Sequence, residues 1–370
     1  DRGERFPVLS PYDGRTVGEA LRPSAEVIES AVAGVVTAAS VMKGMTACEK
    51  TEILRRASEL IRERGKELAR LISLESGKPW RYAAGEAARA VHTFSEAAEE
   101  CSRLYGETIP LDTSTPGEGR MGITGWFPVG PVLAVTPFNF PLNLVAHKLA
   151  PAIAAGCPVV LKPSSETPLT ALLLAEILID AGLPAGALSV LPVSGAEAGL
   201  LAGRPEIKKV TFTGSGQVGW ELRRRAHMKK VTLELGGNAA VVLHEDWGDI
   251  PGAAARIAVG GYAYSGQVCI SVQRIFVHNR IYAPFMEEFI SFRSARPPFS
   301  CPALRPARMI SRTISVLTMP PTSFISLSME SSTGPLVRVK CNSTGVDDSM
   351  SLPSGMVSLP FIRMDVKTIV

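Results

Sequence analysis

Between residues 131 and 235, five short apolar runs alternate with longer segments of helical period. They read VLAVT (132–136), PVVLK (158–162), ALSVL (187–191), KKVTF (208–212) and KVTLE (230–234). Strands buried on both faces read this way, as near-continuous apolar runs without polar alternation. With helices between them, they predict a parallel, doubly wound α/β sheet. Residues 24–104 predict helices. Thr46-Ala47-Cys48-Glu49 is a capping box, followed by Ile53, Leu54, Ala57, Leu60 and Ile61 at helical spacing. From Leu104 to Val129, Gly, Pro and Thr cut the chain into short extended pieces, as in a hairpin or arm. Beyond Glu234, AAVVL (239–243) and RIFVH (274–278) flank a helical stretch near 250–264 and suggest a second α/β domain. The expected organisation is a helical part at 1–103, an arm at 104–129, the sheet at 130–233, the start of a second domain at 234–292 and a tail at 293–370.

The tail differs in kind. Residues 293–370 hold 14 Ser, 9 Pro and 6 of the 11 Met, with no sustained period of 3.6 or 2, so they are expected to be irregular. They are also expected to leave apolar faces of 234–292 uncovered. Charge divides at the same place. The tail carries 9 Lys+Arg and 4 Asp+Glu, the first 292 residues 30 and 31, so the net charge of +4 belongs to the tail. No basic stripe with interleaved aromatics runs through the body, which argues against a nucleic acid partner.

The 370 residues, 46% hydrophobic, suffice for two domains. Cys48, Cys101, Cys157, Cys269, Cys301 and Cys341 form no CxxC pair. No zinc site or disulfide framework follows, and a reducing cytoplasm is the expected location. The nearest approach to a membrane span, Leu144–Leu161, is interrupted by His147 and Lys148, so no membrane association is expected. The opening DRGERF lacks a signal-peptide apolar region, and the first residue is Asp rather than Met, which leaves room for sequence upstream.

Five places could carry chemistry. Gly214-Ser215-Gly216-Gln217-Val218-Gly219 matches GxGxxG after a strand, and Glu234 lies 20 residues beyond Gly214, where a conventional dinucleotide fold puts its ribose-binding acid. This motif follows the fourth apolar run rather than the first, and a glycine-rich turn into a helix reads the same. Lys162 ends a strand, a cation at the carboxyl edge of a parallel sheet where α/β folds bind ligands; a solvated strand-end Lys is the alternative. Asn139, between Pro137-Phe138 and Phe140-Pro141, is an amide in a rigid apolar setting, able to face a developing oxyanion or to form a turn. Glu234, after an apolar run and before two glycines, suits a general base in apolar surroundings or a helix-capping carboxylate. Cys269, in YSGQVCISVQRI, is either an inert buried thiol or a nucleophile.

Together these segments resemble the aldehyde dehydrogenase superfamily. VTPFNFP, LKPSSETP, FTGSGQVG, ELGG and GQVC occur in that family's order and approximate separations, over about residues 6–292. The resemblance implies a Rossmann-like cofactor domain, an α/β catalytic domain and an oligomerisation arm, with a homo-oligomer as the assembly. It implies that Cys269 is the nucleophile, that Glu234 activates water, and that Asn139 with the Cys269 backbone N–H forms the oxyanion hole. Thr136, Pro137 and Phe138 would line the cofactor side, Lys162 would bind the adenosine ribose, and Gly214, Ser215 and Gly219, with Leu235, would form the NAD or NADP cradle. The implied activity is oxidation of an aldehyde to a carboxylic acid, because relatives that pass the acyl group to coenzyme A lack Glu at the base position.

Two departures stand out. NAD-preferring members often carry Glu where this chain has Ser165, so NADP is expected to be tolerated. The family continues past the cysteine to an E-x-F-G-P motif, whereas the tail offers only Glu330-Ser331-Ser332-Thr333-Gly334-Pro335. The segment that pairs with a neighbour's arm is unrecognisable too, so the chain reads as a family member whose end has been replaced. A conventional GxGxxG dehydrogenase and a non-catalytic, nucleotide-binding remnant are the competing readings.

Overall fold

The computed structural model describes residues 3–295 and three further strands, at 314–319, 325–331 and 337–341. The chain opens with an antiparallel hairpin, β1 (Gly3–Leu9) and β2 (Thr16–Pro23). The hairpin precedes the stretch 24–104 over which helices are expected. Four helices follow: α1 (Ala25–Gly44), α2 (Ala47–Glu63), α3 (Gly65–Ser76) and α4 (Trp80–Glu100). The capping box closes on α2, with Glu49 N donating to Thr46 Oγ1 at 3.2 Å and Thr46 N donating to Glu49 Oε2 at 2.7 Å. α1 has the length and hydropathy of a membrane-crossing helix, but Val32, Val35, Ala38 and Met42 are buried in the protein core. The arm is a hairpin of β3 (Thr108–Pro110) and β4 (Met121–Ile123).

Each of the five apolar runs forms a strand. In chain order come β5 (Val132–Val135), α5 (Asn143–Ala154), β6 (Val159–Lys162), α6 (Leu169–Asp180), β7 (Leu188–Val190), α7 (Gly195–Gly203), β8 (Lys209–Gly214), α8 (Gly216–Arg225) and β9 (Lys230–Leu235). The strands pair in parallel in the order β7-β6-β5-β8-β9. Alternate side chains serve opposite faces. Val132, Ala134, Val159 and Leu161 join a core with residues of α2 to α6, while Leu133, Val135, Val160, Val210 and Phe212 join one with α1, α7 and α8. Burial on both faces is why these runs lack polar alternation. The order reverses between β5 and β8, and the carboxyl ends there form a topological switch point, the position where open α/β sheets bind ligands.

The first compact unit ends at Leu235 and the second begins at Gly236, so Glu234 sits on the last strand of the first sheet. The second unit starts with β10 (Ala239–Leu243), α9 (Ile250–Tyr262), β11 (Val272–His278) and α10 (Asn279–Ala295). Three strands are described within the tail. β12 (Ile314–Met319) pairs in parallel with β11, and β13 (Ile325–Ser331) and β14 (Val337–Cys341) continue the sheet antiparallel. The signal was present in the letters: ISLSMES and VRVKC both alternate apolar with polar residues, which is period 2. Ile275, Val277, Phe285 and Phe289 are buried, so this part of the unit has a covered core.

Candidate functional site

The parallel register brings four sequence-predicted residues to one edge of the first sheet. Val135 pairs with Lys162 on one side and Phe212 on the other, Thr213 pairs with Glu234, and Gly214 with Leu235. Thr136 follows β5 directly, and its N–H donates to the Lys162 carbonyl at 3.1 Å. The Thr136 hydroxyl is buried and has no hydrogen-bond partner among the described residues. Lys162 is partly buried, and among the described residues its amine makes no ion pair; burial pulls its pKa down. A desolvated cation and an orphaned hydroxyl at a sheet's carboxyl edge suit a polar, anionic ligand. Pro137, Phe138 and Asn139 are half-buried in the loop from β5 to α5, and Ser165 is exposed in the turn from β6 to α6.

The glycines of the GxGxxG segment have separate physical reasons. A Cβ at Gly219 would lie 2.5 Å from Leu235 Cδ2, and one at Gly214 would lie 2.6 Å from Phe212 Cζ. Gly219 lets α8 pack tightly on Phe212 of β8 and Leu235 of β9, and Gly214 leaves room for the Phe212 ring. A Cβ at Gly216 would meet nothing within 4 Å, so the first turn of α8 is open. Ser215 is the N-cap and its side chain makes no capping bond, leaving N–H groups for a phosphate. These features fit a dinucleotide: Lys162 for ribose hydroxyls and the α8 N-terminus for pyrophosphate.

Glu234 is exposed, not enclosed in apolar surroundings as expected. Its neighbour is a buried cation, Lys148. Lys148 on α5 is buried, donates to Thr211 Oγ1 at 3.0 Å, and has its pKa lowered to about 8 by desolvation, which the charge of Glu234 partly opposes. A lysine inside LVAHKLAPAIA was the available signal, since a charge amid apolar helix residues must be accommodated somewhere.

Cys269 lies in the second unit, exposed, in a turn between α9 and β11. It is not a core thiol. The approach to it is strained: Tyr264 (φ 50°), Ser265 (φ 55°) and Gly266 (φ 72°) are successive left-handed residues. Each non-glycine in that region costs about 1–3 kcal/mol, and such residues cluster at functional sites. Gly237 passes close to the turn, and a Cβ there would sit 3.3 Å from the Cys269 carbonyl oxygen. The Glu330–Pro335 segment falls largely outside the described residues. Among the described residues no His, Cys, Asp and Glu cluster could hold a metal.

The model of the aldehyde dehydrogenase family matches residues 1–296. The chain is 42% identical over 286 residues to 3-sulfolactaldehyde dehydrogenase of Priestia megaterium, covering 77% of this chain and 59% of that one. It is 37% identical over 291 residues to the NADP(+) succinate-semialdehyde dehydrogenase GabD of Escherichia coli K12, covering 78% and 59%. The crystal structure of aldehyde dehydrogenase 21 from Physcomitrella patens, in complex with the reaction product succinate, superposes with a TM-score of 0.75 at 44% identity, covering 78% of this chain and 60% of that one. The chain thus spans about three fifths of the length of these relatives. Motif order, the switch-point sheet and the matched length agree: this chain belongs to the aldehyde dehydrogenase family.

Proposed function

We propose that the chain oxidises an aldehyde to a carboxylic acid, with NAD or NADP as hydride acceptor and Cys269 as nucleophile. The observation that carries the reading is the single sheet edge that holds Thr136, Lys162, Gly214 and Glu234. The Cys269 thiolate adds to the aldehyde carbon, and the oxyanion is stabilised by the Asn139 side-chain amide and the Cys269 N–H. Such donors contribute roughly 3–4 kcal/mol each in comparable sites. The nicotinamide, when bound, supplies the hydride acceptor, and the acyl group is then a thioester on Cys269. Glu234 takes a proton from the water that hydrolyses it. An exposed carboxylate suits this step, because the water must reach it from solvent. Ser165 can neither accept a bond from the ribose 2′-OH as a carboxylate would nor repel a 2′-phosphate, which supports use of NADP.

The relatives named above act on sulfolactaldehyde and succinate semialdehyde, both short aldehydes with an anionic group at the far end. A short ω-anionic aldehyde is therefore the proposed substrate class. A homo-oligomer is the proposed assembly, supported by the arm, where Tyr105, Met121, Ile123, Trp126 and Phe127 are each more than two-thirds exposed.

The test is a pre-steady-state burst assay of the full chain with succinate semialdehyde and NADP in excess, followed by nicotinamide absorbance. Cys269→Ser should abolish the signal, while Glu234→Gln should keep the first hydride transfer and slow later turnovers. Iodoacetamide should label Cys269 faster than Cys48, which is also exposed, so accessibility does not account for the difference. Undiminished turnover by Cys269→Ser would instead favour a conventional hydride transfer without a covalent intermediate.

A further inference from the structure

Two residues packed against the loop that carries Asn139 lie 53 or more positions before it in the chain. α5 begins at Asn143 after Leu142, and neither supplies a side-chain cap. The missing acceptor comes from α4: Glu86 Oε1 accepts from Leu142 N and Asn143 N, each at 3.0 Å. Glu86 Oε2 accepts from the Lys78 amine, and both side chains are completely buried. The same amine lies 3.8 Å from the centroid of the Phe140 ring. Lys78 is itself fixed, its carbonyl accepting from Ser73 Oγ at 2.8 Å.

Asn139 is therefore bracketed. Upstream, Thr136 N is bonded to the Lys162 carbonyl; downstream, Phe140 rests on Lys78, and Leu142 and Asn143 are held by Glu86. Pro137 and Pro141, with their fixed φ, stiffen the short link between the two anchors. A buried ion pair is a costly way to cap a helix, since a neutral side chain could accept the same N–H bonds. The cation over Phe140 is what a simple cap would not need. We propose that Lys78 and Glu86 form a clamp that positions the Asn139 amide, so that the oxyanion donor depends on a charge pair in the helical layer. The clamp rests on the role given to Asn139 above.

Two measurements on the full chain test it. Hydrogen exchange of the peptide 137–145 should accelerate about tenfold or more in Lys78→Met and in Glu86→Leu. The peptide 164–172 should not change. The double variant Lys78→Met/Glu86→Gln keeps an acceptor for Leu142 and Asn143 without a buried charge, and should recover most of the protection. Acylation of Cys269 by p-nitrophenyl acetate forms the S–C bond, breaks the ester C–O bond and releases p-nitrophenolate. It should slow by about 100-fold in either single variant, the loss expected from a misplaced catalytic group. Glu75→Leu, which uncaps α6 instead, should leave acylation unchanged. Unaltered exchange at 137–145 in both single variants overturns the clamp. So does unaltered acylation in both while Asn139→Ala abolishes it. If the unmodified chain is not acylated at Cys269, the proposed catalysis fails, and the exchange experiment still decides the clamp.

Discussion

Two glutamates of the same helical layer perform the same geometric task, and among the described residues only one of them has a cation beside it. Glu86 on α4 caps α5; Glu75 on α3 caps α6, accepting from Leu169 N at 2.9 Å, Thr170 N at 3.0 Å and the Thr170 hydroxyl. Neither α5 nor α6 has a capping side chain of its own, because Leu142 and Pro168 occupy the N-cap positions. Both glutamates are about 2% exposed. Glu86 has Lys78 against it, whereas burial pushes the Glu75 carboxyl up to about 7, with its three hydrogen bonds opposing the shift. The backbone bonds alone thus do not tell the two caps apart, and a single neighbouring amine does. The loop that precedes α5 carries Asn139, so the cap with an amine beside it stands behind the proposed oxyanion donor.

The largest effect should come from breaking the pair. Lys78→Met leaves Glu86 buried without its cation, and loss of one partner of a buried pair typically costs about 3–5 kcal/mol. The expected result is a sharply lowered thermal unfolding midpoint at neutral pH. If the midpoint held, Glu86 would not need Lys78 and the contrast with Glu75 would disappear.

The next effect is a pH dependence confined to Glu75. Its folded pKa lies above the unfolded value of 4.5, so its contribution is fully present below pH 4.5 and is lost as pH rises through about 7. A shift of that size corresponds to about 3 kcal/mol as an order of magnitude. Comparing the wild type with Glu75→Gln by chemical unfolding between pH 5 and pH 8 should isolate it. The neutral amide can still accept from Leu169 N and Thr170 N, so the variant should gain on the wild type as pH rises. Parallel pH profiles would mean that Glu75 is ionised throughout.

A local cap sets the lower end of the scale. Thr46→Ala removes an exposed capping box formed within one stretch of chain, and should cost about 1 kcal/mol. Unfolding midpoints of Thr46→Ala, Glu75→Leu and Lys78→Met, measured together, should rank in that order of increasing loss. A Thr46→Ala loss as large as that of Lys78→Met would show that burial adds nothing to the worth of a cap.

The sequence by itself determined the strands of the first sheet, the Thr46 capping box and the glycine-rich turn, because each follows from period, propensity and neighbours a few residues apart. The aldehyde dehydrogenase motifs were legible for the same reason: VTPFNFP, ELGG and GQVC are contiguous. It also contained the alternation of β13 and β14, but in a segment whose composition pointed to irregular structure. Tertiary structure alone decided which polar groups were brought together. Glu86 and Leu142 are separated by 56 residues, and Glu75 and Thr170 by 95. In the letters, each glutamate is an ordinary charged residue of a helical stretch, and Lys78 a charged residue between Gly77 and Pro79. The packing of α3 and α4 behind the sheet helices removes those charges from water. Once there, a carboxylate must find donors or a cation, and the fold supplies both to Glu86 but donors alone to Glu75.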